Sequence, residues 1–269
     1  MKNLSLLEIL TQFEGSNNVV PELPSTWAQG RALFGGLGAA LASCAMRKLI
    51  TEDSGPIRSM FITFVAPLPS KRLSVATKLL RQGSNVTLAS AEVLSNDALC
   101  LQASAAYGRS RPTTAMLNAN DINLPPRQKS VPPTRNAGVP DFLSHFSFDW
   151  SGNGIPFSGQ QDRDLGIWVR HKNPLDRFPV ESILSIADFP PPIVLAHYNK
   201  PNVPASSLTW AIDFVIPPDQ IRTNIWFYLD YELDQAREGY SQQSGRIYTE
   251  DGRLCALSRQ CMVYFEPKV

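Results

Sequence analysis

The stretch Ser207–Val215, SLTWAIDFV, closed by Ile216-Pro217, repeats the pattern of an earlier one, Ile57–Val65, IRSMFITFV, closed by Ala66-Pro67. FVAP at Phe64–Pro67 and FVIP at Phe214–Pro217 stand 150 residues apart, and farther on Leu99-Cys100 and Leu254-Cys255 stand 155 apart. The second copy has gained about five residues, which fit most easily near LDQAREGYSQQ, Leu233–Gln243. Each copy continues with a polar turn and a β-rich stretch, and each closes as strand, turn, strand. The closing runs are AEVLSNDALCLQASAAYG, turning at Asn96-Asp97, and GRIYTEDGRLCALSRQCMVYF, turning at Asp251-Gly252, the ordinary hairpin pattern.

Ahead of each set of strands lies one helical segment, residues 33–50 in the first copy and about 180–189 in the second. One helix followed by several long antiparallel strands, present twice, predicts an α+β chain of two tandem repeats, each a curling sheet around a helix. Between them the proline-rich, aperiodic run 111–138 reads as a linker joining a first repeat over 1–110 to a second over 139–269. After the linker, FLSHFSFDW and LGIWVRHK are expected as strands preceding the second helix.

The 269 residues allow a sizeable core, and a net charge of +1 provides no overall field to attract nucleic acid or an anionic membrane. Cys44, Cys100, Cys255 and Cys261 form no CxxC pair, so neither disulfides nor a metal site is expected, and a reducing, cytoplasmic compartment fits. The opening MKNLSLLEILTQFEG is interrupted by Glu8 and Glu14 and is not expected to be a signal peptide or a membrane span.

In RALFGGLGAALASCAMRKLI, Arg31–Ile50, three glycines crowd the start of an apolar helix, where each costs roughly 1 kcal/mol against alanine. A dinucleotide fingerprint is not met, because the position third after Gly38 is Leu41. Small residues that let the helix sit close to a sheet are the simpler reading.

These glycines, the strands behind them and YTEDGRLCALSRQCMVYF at the end together resemble the type II acyl-CoA thioesterases, from about Phe34 to Phe265. The resemblance implies a double hotdog fold, no metal or redox cofactor, and a coenzyme A thioester as substrate. It implies a homo-dimer or tetramer as well. It also implies an aspartate on the second helix, a hydroxyl on the next strand and a glutamine near the C-terminus. ESILSIADF puts Asp188 at the first position, and DGRLCALSRQ puts Gln260 at the third. For the hydroxyl, Ser207 and Thr209 both qualify: they alternate onto one strand face, the count back from Pro217 favours Ser207, and residue identity favours Thr209. One departure is ADFPPP, where Pro190–Pro192 follow the aspartate and alter the pocket behind it.

Thiolate is a tolerable leaving group, with a thiol pKa of roughly 8.5, so a carboxylate that deprotonates water suffices for hydrolysis. Asp188 falls on the apolar stripe of its helix with Val180 and Leu184, where a charge needs partners or work to do. At the repeat offsets Gln260 corresponds to Ala105 and Asp188 to Gly38, so one working site per chain is expected. An amide at Gly35 or Gly36, at the positive end of the first helix, is a candidate to polarise the thioester carbonyl. Arg58, Arg81, Arg109 and Arg111 are candidates for the phosphates of coenzyme A. His145, His171 and His197 are scattered, and no G-x-S-x-G elbow exists. A hotdog protein that holds an acyl-CoA or an acylated carrier without cleaving it is the alternative.

Overall fold

Thirteen strands and three α-helices make up the described part of the computed structural model, which comprises residues 3–20, 22–119, 122–129 and 139–266. Parts of the linker and the extreme ends of both expected repeats lie outside those residues. Helix α1 (Leu6–Glu14) begins at a reciprocal cap: the Glu8 amide donates to Ser5 Oγ and the Ser5 amide to the Glu8 carboxylate. Then come β1 (Val19–Val20), the small ribbon β2 (Ala28–Gln29) and β3 (Ala32–Leu33), and helix α2 (Gly35–Arg47). Four long strands follow: β4 (Ile57–Phe64), β5 (Leu73–Gln82), β6 (Val86–Ser95) and β7 (Ala98–Gly108). The second half runs β8 (Phe146–Trp150), β9 (Asp164–His171), α3 (Pro179–Ala187), β10 (Ala205–Phe214), β11 (Phe227–Arg237), β12 (Tyr240–Thr249) and β13 (Leu254–Tyr264).

All but the ribbon join one antiparallel sheet in the order β1-β5-β6-β7-β4-β10-β13-β12-β11-β9-β8. The order reads alike outward from its middle, β4-β7-β6-β5 on one side and β10-β13-β12-β11 on the other. The two stretches that carried the repeat are therefore the two strands that meet, pairing Phe61 with Ala211 and Ile62 with Trp210. This is the double hotdog, with α2 and α3 packed against each other in a continuous apolar core. Among the described residues no helix is long and apolar enough to cross a membrane.

The glycines of α2 explain that packing. A Cβ on Gly36 would stand 3.0 Å from the Ser185 Cα of α3, and one on Gly38 2.5 Å from Leu68 Cδ1. Gly36 thus brings the backbones of the two helices together, and Gly38 admits the loop that follows β4.

Three local expectations are corrected. FLSHFSFDW opens as a 3-10 turn over Asp141–His145 capped by Pro140, and the strand starts only at Phe146. The extra residues of the second copy are not near Leu233–Gln243. Four of them lie in the connection after β10, where twelve residues lead to β11 against eight between β4 and β5. Asp188 is not the counterpart of Gly38 either: Gly38 lies in the first turn of α2, whereas Asp188 caps the end of α3.

Candidate active site

Helix α3 starts on Pro179, whose missing amide is no loss in a first turn. It stops at Asp188, because Pro190–Pro192 provide no amides to continue it. The Asp188 amide still bonds to Leu184 O at 3.2 Å. One of the helix's last carbonyls, Ala187 O, accepts from the buried hydroxyl of Tyr231 on β11 at 2.6 Å. Opposite Tyr231 in the sheet is Gly245, where a Cβ would lie 2.3 Å from the Tyr231 ring. The glycine is therefore what lets Tyr231 lie flat against β12 and hold the helix end.

The Asp188 carboxylate is 9% exposed and faces the start of α2, from the other repeat. The Gly36 amide favours its ionised form, and its Oδ2 lies 2.8 Å from where a Gly35 Cβ would be. Phe64 of β4 closes the same spot, its ring 2.9 Å from that Cβ position. α2 has no side-chain cap of its own, and the carboxylate stands at its positive end from the other half. This answers what Gly35 admits: it puts the Asp188 carboxylate beside the Gly35 and Gly36 backbone.

From the sheet, Gln260 Nε2 donates to Asp188 Oδ1 at 2.8 Å. Gln260 is in turn fixed by Gln243, its cross-strand partner on β12, whose Nε2 donates to Gln260 Oε1 at 3.0 Å. Gln243 Oε1 accepts from the Ile193 amide at 3.1 Å. Burial pushes the Asp188 carboxyl up to about 7, against the opposing pull of the Gly36 amide and of Gln260. A carboxylate held there can exchange a proton with water near neutrality.

The structure separates the two hydroxyls. β10 carries a bulge between Ser207 and Thr209, so Ser207 stands opposite Met262 while Thr209 stands opposite Cys261. Cross-strand partners share a face, and Gln260 alternates with Cys261, so Ser207 lies on the Gln260 face and Thr209 on the other. The expectation that both share one face fails on that extra residue. Thr209 also pairs with Thr63 of β4, away from the core residues Ile62 and Trp210.

The sequence matches the model of the acyl-CoA thioesterase N-terminal domain over residues 23–108 and that of the C-terminal domain over residues 123–264. The chain belongs to the acyl-CoA thioesterase family. Solved structures share its fold over almost its entire length. A hot dog fold protein of unknown function from Alicyclobacillus acidocaldarius has a TM-score of 0.78 at 20% identity, covering 93% of each chain. An acyl-CoA thioesterase II, TesB2, from Mycobacterium marinum has a TM-score of 0.72 at 16% identity, covering 94% of this chain and 95% of its own. A tesB protein from Mycobacterium avium subspecies paratuberculosis reaches 0.71 at 14%, covering 97% and 100%. No curated protein matches the sequence.

In this member of the acyl-CoA thioesterase family the arginine candidates lie apart from Asp188. Arg58 donates to Gly108 O at 3.0 Å, Arg109 binds Asp53, and Arg81 flanks Gly83 at the β5–β6 turn. Arg58 is the second residue of β4 and Phe64 the last, so this corner is roughly 20 Å along the strand from the Phe64 end. Arg111 is exposed at the start of the linker. A cavity of about 470 Å³ under linker residues Ile122–Arg127, lined by Trp168 and Trp226, is likewise separate from Asp188.

His145 stacks on Trp27 with ring centroids 3.9 Å apart. His171 bonds to Ser185 Oγ at 3.1 Å, and burial pushes it down to about 4. Sequence reasoning missed Gln243 and Tyr231. Counting outward from the Asp251-Gly252 turn, eight residues on either side, would have set Gln243 opposite Gln260; nothing local marks Tyr231 as a helix anchor.

Proposed function

We propose that the chain hydrolyses acyl-CoA to a free carboxylic acid and coenzyme A, with Asp188 as general base. The observation that carries this reading is a buried carboxylate, poised near neutrality, that accepts from Gln260 of the second half and stands against the start of α2 in the first. The carboxylate keeps lone pairs beyond the Gln260 bond, enough to accept from one water. Ser207, on the face of Gln260, is the hydroxyl assigned to that water. Ionised Asp188 takes the water proton as the water oxygen bonds to the thioester carbonyl carbon. The tetrahedral intermediate then collapses, the C–S bond breaks with its electron pair on sulfur, and the proton held by Asp188 passes to the thiolate.

General-base assistance is worth about 10²- to 10⁴-fold. Thiol release from a panel of short, medium, long and aromatic acyl-CoAs is therefore expected from the wild type, falling at least about 10²-fold in Asp188→Asn. Wild-type binding of acyl-CoA without thiol release would replace the hydrolase by the non-catalytic binder. Undiminished turnover by the variant would remove Asp188 from the reaction.

A further inference from the structure

We infer that Gln243 is a positioning residue that fixes which way the Gln260 amide faces, so that Asp188 meets a hydrogen-bond donor there and not an acceptor. Its consequence for catalysis rests on the reading of Asp188 as the base. A glutamine amide has two ends of nearly the same shape and opposite polarity, so packing alone does not choose between them. Something that can only donate must choose.

Here the choice starts at a backbone amide. Pro190–Pro192 carry no N–H, and the first free amide after them, Ile193, donates to Gln243 Oε1 at 3.1 Å. That leaves Gln243 Nε2 toward β13, where it donates to Gln260 Oε1 at 3.0 Å. Gln260 Nε2 then donates to Asp188 Oδ1 at 2.8 Å. Gln243 is 0% and Gln260 2% exposed, so no bulk water is at hand to pair a flipped amide. A flip of Gln260 would put its oxygen against the carboxylate and its NH2 against the NH2 of Gln243, leaving buried groups unpaired.

The relay thus favours the ionised acid: a protonated Asp188 finds no acceptor on Gln260. The other groups facing the carboxylate are the Gly36 amide of α2 and Tyr231 of β11, the titratable neighbour, whose hydroxyl is turned to Ala187 O. The proline run that departs from the family pattern has a place in this account, since it makes Ile193 the first available donor.

The test is a ¹³C-carboxyl NMR titration of Asp188 in the full chain, its signal identified by its loss in Asp188→Asn. In Gln243→Met, which keeps length and volume but neither donates nor accepts through an amide, Gln260 is free to turn and accept from the protonated acid. The Asp188 midpoint is expected to rise by about one pH unit, a tenfold change in the equilibrium. An unchanged midpoint in the folded variant overturns the relay, because a residue that merely packs would lower stability and leave the titration where it was.

In the wild type, the side-chain amide protons of Gln243 and Gln260 are expected to exchange slowly with solvent. Exchange as fast as that of an exposed glutamine overturns the relay even if the variant does not fold. The titration needs no substrate, so the two readings fail separately. A moved midpoint in a protein that releases no thiol keeps the relay and discards the hydrolase. Thiol release abolished by Asp188→Asn, with an unmoved midpoint in Gln243→Met, discards the relay alone.

Discussion

At the scale of single residues the account turns on a carboxylate that burial has made reluctant to ionise. Because the folded-state pKa of Asp188, about 7, lies above its ordinary value of 3.8, the folded protein binds this proton more tightly than the unfolded chain does. The resulting stabilisation is fully present below pH 4 and is lost as pH rises through 7, a change of order 4 kcal/mol. The Tm of the wild type minus that of Asp188→Asn is therefore expected to fall between pH 4 and pH 8; a constant difference would show an ordinary carboxylate. Gly35→Ala is expected to cost activity as well as stability, since its Cβ would meet Asp188 Oδ2 at 2.8 Å and the Phe64 ring at 2.9 Å. Wild-type turnover in that variant would contradict the contact. Asp188 and Gln260 were candidates through the family resemblance, and the structure brings them together at 2.8 Å. The approach of the Asp188 carboxylate to Gly35 was not legible, because it depends on how closely two helices that start 144 residues apart in sequence pack.

Among elements, β10 shows where counting fails. Alternation puts Ser207 and Thr209 on one face, and a single extra residue in the bulge undoes it. Ser207→Ala is expected to lower kcat about tenfold, the equivalent of one hydrogen bond of about 1.4 kcal/mol, while Thr209→Val leaves kcat unchanged. The reverse pattern would place the hydroxyl on the other face and discard the assignment. The strand β11 contributes through Tyr231. Tyr231→Phe leaves Ala187 O buried without its partner and is expected to cost about 1–3 kcal/mol in denaturant unfolding. No bulge is announced by composition, and this one lies where the neighbouring pairing with β4 begins. The β12–β13 hairpin was announced by its Asp251-Gly252 turn, yet it carries a register shift of its own between Ile247 and Tyr248, so turn and bulge together bring Gln243 opposite Gln260.

For the whole molecule, the internal repeat fixed the architecture before any coordinate, because two copies of the same strand had to meet somewhere and did so at β4 and β10. The site exists only where the halves join: Gly35 and Gly36 come from the first, Asp188, Gln243 and Gln260 from the second. Gly36→Val, whose Cβ would press on the Ser185 Cα at 3.0 Å, is expected to force α2 and α3 apart and to abolish activity with stability. The central claim, that an ionised Asp188 delivers water to a thioester, is tested most directly by kcat/KM for thiol release from acyl-CoA between pH 5 and pH 9, for the wild type beside Asp188→Asn. The account predicts a wild-type rate that rises tenfold per pH unit on the acid side and levels off above about 7, with that limb missing from the residual activity of the variant. A wild-type profile flat down to pH 5, or an equal limb in Asp188→Asn, would contradict it.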